Sequence, residues 1–180
     1  MKNSKGFTLV ELLAMLVVLG ILIGISVPNI TGILNQQKET AFVDEAEQLV
    51  STAQMMISTK KEIERPKDGN CIILSMDYLD KAKEIKKSSF GGDYIREDSY
   101  VLVRRLGTKI EYSVRLVENT TAGDVYGIDN ITLDVLEEEG AQVLGYAELE
   151  GYNVNIATPD SLSHMDPFIS MCTTIEAVYN

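Results

Sequence analysis

The sequence predicts an α+β fold in which a long N-terminal helix, apolar at first and amphipathic afterwards, packs on a small antiparallel β-sheet. An almost uncharged apolar run begins at Phe7 and ends before Pro28. A segment with helical periodicity follows as far as Arg65. The rest of the chain holds strand-forming segments separated by glycines. Because a small sheet needs a second layer to bury one of its faces, the amphipathic helix is the expected partner.

The apolar run, residues 7–28, carries a single charge, that of Glu11. A helix needs about 20 predominantly apolar residues to cross a bilayer, so this segment is long enough to do so. Lys2 and Lys5 precede the run, and no basic residue follows it until Lys38. The positive-inside rule therefore predicts one membrane span, with the N-terminus in the cytoplasm and the remaining chain outside.

Residues 29–65 form the amphipathic half of the predicted helix. Apolar side chains recur there at about the helical period of 3.6 residues, and polar side chains fill the opposite face. Pro66 and Gly69 end the pattern. A proline inside a helix kinks it without always ending it, so we expect one helix interrupted at Pro28 rather than two separate helices. The apolar positions are Ile30, Ile33, Leu34, Ala41, Phe42, Ala46, Leu49, Val50, Ala53, Met56, Ile57 and Ile63.

Residues 66–180 are predicted to be a globular α+β head domain. Tyr100–Arg105 and Ile110–Val117 are rich in strand-forming residues, and the short connection between them predicts a β-hairpin. Weaker patterns predict, in order, a surface helix over Asp77–Lys87, a turn at Phe90–Asp93, a strand or helix over each of Ile131–Glu137 and Gln142–Glu148, a strand over Tyr152–Ala157 and a loop over Thr158–Pro167.

Glu11 needs a physical reason, because a charged carboxylate in an apolar membrane segment costs about 3 kcal/mol. Glu11 lies four residues after Phe7, which is about one helical turn. If the chain is cut between Gly6 and Phe7, the new α-amine is a cation that a neighbouring copy can present to Glu11. The spacing between Phe7 and Glu11 therefore predicts that the Glu11 carboxylate gains a positively charged partner only when copies of the chain assemble.

Other N-terminal segments fit part of this pattern. A secretory signal would be cleaved at a site such as Gly24–Ser26, but Glu11 interrupts its apolar centre. A plain membrane anchor accounts for the apolar run and leaves Glu11 and the start at Lys5–Phe7 unexplained. A lipoprotein signal needs a cysteine near the end of the run, and the sequence has none there.

The segment Lys5-Gly6-Phe7-Thr8-Leu9-Val10-Glu11 resembles the class III signal of type IV pilins and pseudopilins. The resemblance implies that a prepilin peptidase cuts after Gly6, releases the leader peptide 1–6 and methylates the new N-terminal Phe7. It also implies that Glu11 steers the docking of incoming subunits. The resemblance is confined to the apolar run and the residues before it, so the head domain is judged by its architecture.

The resemblance also bears on the glycines and the proline of the apolar run. Pro28 matches a proline that commonly kinks or locally melts the helix in assembled filaments. The stretch from Gly20 to Pro28 often loses helicity in this family, which would allow a filament to extend. Alternatively, the small residues Gly20 and Gly24 could allow a close helix–helix contact within the membrane.

What the resemblance implies overall is a structural subunit, a major or minor pilin, that is stored in the cytoplasmic membrane and assembled through its N-terminal helix into an extracellular pilus for adhesion or motility. The implied partners are other pilins in a homo- or hetero-oligomeric filament, the prepilin peptidase and the pilus assembly platform. One alternative is a pseudopilin of a type II secretion or competence DNA-uptake machine. Another is a membrane-anchored surface domain, which would keep its leader.

Composition weighs against other function classes. The chain has 27 acidic and 16 basic side chains, a net charge of −11, so direct binding to nucleic acid is not expected. His164 is the one histidine, and it has no motif of a catalytic centre around it. Asp160, His164, Asp166 and Cys172 match no compact metal-ligand spacing. We therefore expect no enzymatic activity, no cofactor and no metal.

The two cysteines, Cys71 and Cys172, allow two interpretations. If the head domain is exported, they can form a disulfide that ties the end of the chain to the region after the long helix. Otherwise they are two buried free thiols. The sequence leaves this choice open.

Overall fold

The computed structural model describes residues 7–120, 122–165 and 168–180, with the side chains of 25–29 and 169 left out. The chain divides into two compact units, with the boundary after Lys38. Helix α1 (Leu9–Thr59) contributes to both. Within 7–120, 122–165 and 168–180, no helix is at once long enough and apolar enough to cross a membrane.

In the first unit, the apolar side chains of α1 are exposed. Leu9 is 81% exposed and Leu16 is 69% exposed. Ile30, Ile33 and Leu34, which the periodicity placed on the apolar face of the helix, are also about half exposed. The first unit by itself therefore buries little of its apolar surface.

In the second unit, α1 supplies one wall of the hydrophobic core. Its buried positions recur every three or four residues, so they form one stripe. This part of the sequence prediction is confirmed, and Ile63 beyond the helix is buried as well. The helix ends at Thr59, earlier than the predicted limit at Arg65. The buried residues of the stripe are Phe42, Val43, Ala46, Leu49, Val50, Ala53, Met56 and Ile57.

The head domain contains a six-stranded sheet, which confirms the α+β class. The strands are β1 (Cys71–Ser75), β2 (Tyr100–Leu106), β3 (Lys109–Asn119), β4 (Val125–Thr132), β5 (Gly145–Ala147) and β6 (Ile175–Tyr179), in the spatial order β5-β4-β3-β2-β1-β6. The predicted hairpin is confirmed, since β2 pairs antiparallel with β3 and Leu106 faces Lys109 across a two-residue turn. The sheet is mixed rather than wholly antiparallel, because β6 runs parallel to β1.

Short helices connect the strands. They are α2 (Met76–Asp80), α3 (Leu133–Glu139), α4 (Pro159–Leu162) and α5 (Phe168–Met171), with 3₁₀ turns at Arg96–Asp98 and Gly140–Val143. Helix α2 is shorter than the predicted helix over Asp77–Lys87. The carboxylate of Asp80 accepts a hydrogen bond from the Ile85 amide at 2.6 Å, which draws the chain into a turn.

Two weaker sequence predictions near the C-terminus are wrong. Residues 152–157 form turns rather than a strand. Helix α4 lies in the segment predicted to be a loop, where Thr158 and Ser161 form a reciprocal capping box and Pro159 occupies the first turn. Alternation of apolar and polar side chains is not sufficient to form a strand. Residues 152–157 pair with no strand of the sheet and are therefore not a strand themselves.

The two faces of the sheet bury different sets of side chains. Ile72 and Leu74 of β1 contact the cluster that includes the stripe of α1. Cys71 and Ile73 point to the opposite face, where Val154, Leu162 and Phe168 cover them. Strand β1 is thus buried on both faces, as its unbroken apolar sequence allows. The second unit therefore has three layers: the second half of α1, the sheet and the C-terminal segment.

Gly127 on β4 provides a test of the sheet packing. A Cβ atom at this position would lie 2.1 Å from the carbonyl oxygen of Leu116, and the backbone has φ +151°. We expect Gly127→Ala to lower the free energy of unfolding by about 3 kcal/mol, because the backbones of β3 and β4 must move apart. Chemical denaturation of the full chain in detergent measures the change.

Gly145 on β5 is the matched control, since it is the residue paired with Gly127 across the two strands. A Cβ atom at Gly145 would have no neighbouring atom within 4 Å among the described residues. Gly145→Ala should therefore change the free energy of unfolding by less than about 0.5 kcal/mol. Equal losses for the two variants would contradict this account of the packing.

Candidate assembly site

The start of α1 is built by a reciprocal pair of side chains. Thr8 precedes the helix and Glu11 lies in its first turn. The Thr8 amide and the Thr8 hydroxyl each donate to Glu11 Oε2 at 2.8 Å. The Glu11 amide donates to Thr8 Oγ1 at 3.3 Å. This is a capping box, in which Thr8 and Glu11 satisfy amide groups that the first helical turn leaves without partners.

The capping box changes how Glu11 is understood. Thr8 supplies two hydrogen bonds to Glu11 within the chain. The expectation that the charge of Glu11 gains a partner only through assembly stays a prediction. Both donors are neutral, so the negative charge of Glu11 remains. A negative charge in the first turn is favourable beside the positive end of the helix dipole. The charge is therefore tolerated in a single chain and still available to a cation from outside.

Sequence reasoning missed this role, although the signal was present. Threonine followed by glutamate three residues later, immediately before an apolar run, is the pattern of a capping box. Interpreting Glu11 only as an isolated charge overlooks its three-residue spacing from Thr8. Phe7 is 69% exposed beside the box. Gly6 lies outside the described residues.

The other predicted residues of the apolar run lie on α1. Gly20 and Gly24 are exposed, and among the described residues no atom would lie within 4 Å of a Cβ at either position. No contact within this part of the chain therefore requires glycine at these two positions. Pro28 falls within the bounds of α1, and its side chain is outside those described.

Comparison with known proteins supplies the next observation. Residues 1–27 match the family model described as the prokaryotic N-terminal methylation motif. The chain carries a class III signal. No curated protein matches the chain. No solved structure matches it either.

The class III signal is characteristic of type IV pilins and pseudopilins and supports the interpretation of this chain as a substrate of the prepilin peptidase. It implies processing by that enzyme and assembly with other pilins, and it points to a structural protein rather than an enzyme. The helix and the sheet together match a type IV pilin-like architecture. The signal covers residues 1–27 and does not distinguish among the filament systems that use it.

The structure joins the two cysteines. Cys71 at the start of β1 and Cys172 after α5 form a disulfide that closes a separation of 101 residues. Both cysteines belong to the cluster on the sheet face opposite α1. The disulfide therefore fixes the segment before β6 to the start of β1, the strand next to one edge of the sheet.

The polar residues weighed as metal ligands are placed as follows. Asp160 and His164 are exposed, and Cys172 is in the disulfide. Asp166 lies outside the described residues. Within the described part of the chain, no group of three or more histidine, cysteine, aspartate or glutamate side chains could hold a metal ion.

The disulfide yields a stability prediction. Opening a crosslink across about 100 residues increases the entropy of the unfolded chain, which lowers the free energy of unfolding by about 4 kcal/mol. We expect the double variant Cys71→Ala, Cys172→Ala to show this loss in chemical denaturation without reductant. The wild-type protein in reductant should approach the double variant.

The double variant is also the control for the reductant, which should leave its unfolding midpoint unchanged. If reductant shifts both proteins equally, the stabilisation does not come from the disulfide.

Proposed function

We propose that this chain is a structural subunit of a type IV pilus, either a major or a minor pilin. Removal of residues 1–6 leaves a mature chain that begins at methylated Phe7. The mature chain is stored in the cytoplasmic membrane with its N-terminus in the cytoplasm and is then assembled into an extracellular filament for adhesion or motility. The class III signal at residues 1–27 is the observation that carries the proposal.

The exposed apolar surface of α1 supports this proposal. Large apolar side chains from Leu9 to Ile23 are about half exposed or more. Contiguous apolar surface of this kind is rare on soluble monomers and marks contact with lipid or with another protein. Residues 7–28 would meet lipid during storage and the same segments of other subunits in the filament core. The head domain, residues 66–180, would form the filament surface.

The charge of Glu11 supports an assembly role for the same segment. Thr8 satisfies hydrogen bonds of Glu11 and leaves its charge uncompensated. Cleavage after Gly6 creates an α-amine on Phe7, and an amine from a neighbouring subunit would pair with this carboxylate. An ion pair in an apolar surrounding is favourable when the alternative is an isolated charge. Glu11 would thus set the axial position of an incoming subunit.

Mass spectrometry of the protein isolated from cells tests the first step. We expect a mature chain that begins at Phe7 and carries one added methyl group. A chain that still begins at Met1 would contradict the proposal and favour a membrane-anchored surface domain.

Substitutions at Glu11 test the second step. Glu11→Leu should leave cleavage intact and abolish filaments, because both the charge and the capping acceptor are lost. Glu11→Gln is the sharper variant, since glutamine keeps the capping box and removes only the charge. We expect Glu11→Gln to be processed and to form far fewer filaments, as counted in sheared surface fractions by electron microscopy.

Thr8→Val is the matched control for the capping box, because it removes the hydroxyl and keeps the charge of Glu11. Filament numbers close to wild type are expected for Thr8→Val. Normal filaments from Glu11→Gln together with few from Thr8→Val would show that capping, not charge pairing, explains Glu11.

The alternative with the same signal is a pseudopilin of a secretion or DNA-uptake machine. An antibody against residues 66–180 separates the possibilities. Long surface filaments labelled along their length are expected for a major pilin, and sparse labelling is expected for a minor pilin. A processed protein with no surface filament would overturn the pilus assignment in favour of a pseudopilin.

A further inference from the structure

A fully buried arginine lies on the sheet face opposite α1. Arg115 of β3 is 0% exposed. Its guanidinium donates to Asp98 Oδ2 at 2.7 Å and to the Asp98 carbonyl oxygen at 3.2 Å. It also pairs with Asp129 of β4. Arg115 therefore sits between two aspartates that come from different parts of the head domain.

A third carboxylate, Glu150, approaches the same guanidinium from the C-terminal segment. Its Oε1 lies 3.7 Å from Arg115 Nη1. The side-chain amide of Asn130 donates to Glu150 Oε1 at 3.2 Å. The Tyr100 hydroxyl donates to Asn130 Oδ1 at 2.8 Å and lies 3.4 Å from Glu150 Oε2. Asn130 takes a left-handed backbone conformation, with φ 51°. The sheet thus presents three polar side chains, those of Arg115, Asn130 and Tyr100, to Glu150.

Residues 148–157, here called the strap, cross this site after β5. The Glu148 carbonyl oxygen accepts from Arg115 at 2.6 Å. The Tyr152 hydroxyl donates to the Tyr100 hydroxyl at 3.2 Å. The Val154 amide donates to the Glu97 carbonyl oxygen at 2.9 Å, and the Val154 side chain is buried. These contacts join the strap to the sheet and to the 3₁₀ turn Arg96–Asp98 without strand pairing.

The charges in this site do not balance. Asp98, Asp129 and Glu150 face one guanidinium, so full ionisation leaves two negative charges in excess. The side chains of Asp98 and Glu150 are 2% and 14% exposed, whereas that of Asp129 is 55% exposed, so water screens its charge. Two buried carboxylates therefore face one buried guanidinium, and Asp98 Oδ1 has no hydrogen-bond partner within the described chain. A charge held away from water without full compensation is unfavourable. Adding a proton to one carboxylate would reduce this cost.

Glu150 is the carboxylate best placed to take that proton. Burial raises the pKa of Glu150 to about 7, with Asp98 and Asp129 adding to the increase and Arg115 opposing it. Burial also raises the pKa of Asp98. The remaining titratable group beside Glu150 is the Tyr100 hydroxyl. Burial raises the pKa of Tyr100 above its ordinary value, so this hydroxyl is neutral in the pH range where Glu150 titrates.

We propose that the strap is a proton-operated latch, docked on the sheet when Glu150 is protonated and released locally when Glu150, Asp98 and Asp129 are all ionised. The latch lies wholly within residues 66–180, and its effect at the cell surface rests on the proposed function. Its release would expose Val154 and the surface that it covers. Surface presentation by the head domain would then depend on the pH outside the cell.

The sign of the effect follows from linkage. Docking raises the pKa of Glu150 from the ordinary value of 4.5 to about 7, so the docked strap binds a proton more tightly than the released strap. The docking contributed by this proton is complete below pH 4.5. It is lost as the pH rises through about 7.

Hydrogen exchange of the full chain in detergent micelles measures the latch directly. After correction for the intrinsic exchange rate, we expect the amides of the strap to be about 70-fold less protected at about pH 8 than at about pH 5, as a rise in the pKa of Glu150 from 4.5 to about 7 requires. Peptides from β2 (Tyr100–Leu106) report the stability of the sheet and should change much less. Glu150→Gln should remove the pH dependence and keep the strap protected at the higher pH.

Two further variants make the result decisive. Glu138→Gln on the exposed face of α3 removes one acid elsewhere and should behave as wild type. Asp129→Asn removes a like charge beside Glu150 and should shift the loss of protection to lower pH. Protection that is independent of pH in the wild-type strap, or an unchanged pH profile in Glu150→Gln, would overturn the proposal.

Discussion

Burial of the stripe on the second half of α1 is the constraint on which the head domain depends. The side chains from Phe42 to Ile57 pack against one sheet face, together with smaller contributions from Met76 and Leu79 of α2 and Leu136 of α3. The same helix is apolar and exposed before Lys38. The two halves of the helix therefore differ in burial. The second half packs into the hydrophobic core, and the first half presents apolar surface that the single chain leaves exposed.

The opposite sheet face is held by different means. Its apolar cluster is smaller, and it is supplemented by the disulfide between Cys71 and Cys172 and by the buried guanidinium of Arg115. A covalent link and a polar network compensate for a covering layer that has short helices and turns instead of a long element. This division explains why the two faces differ in chemistry: the helix side is fixed by apolar area, and the other side by a crosslink and by charge.

Local patterns revealed the hairpin and the amphipathic helix, because both depend on neighbouring residues. Strands β1 and β6, which were not predicted, are about 100 residues apart in the chain and pair in parallel. Parallel pairing leaves no turn signal, and a strand buried on both faces shows no alternation. The burial of Arg115 could not be predicted for a related reason. A charged residue within a strand is expected to face solvent, and here the strap covers it. Physical context beyond the local chain decided each of these elements.

Glu11, in the candidate assembly site, also shows how much a local sequence pattern can predict. Its spacing from Phe7 led to an argument about charge, whereas its spacing from Thr8 accounts for hydrogen bonding in the single chain. The two roles are compatible, because a capping box uses the carboxylate oxygens as acceptors and leaves the net charge unchanged. Capping holds Glu11 Oε2 against the first turn of the helix, which also orients the carboxylate before any cation arrives. An acid preorganised in this way loses less side-chain entropy on pairing than a freely rotating one.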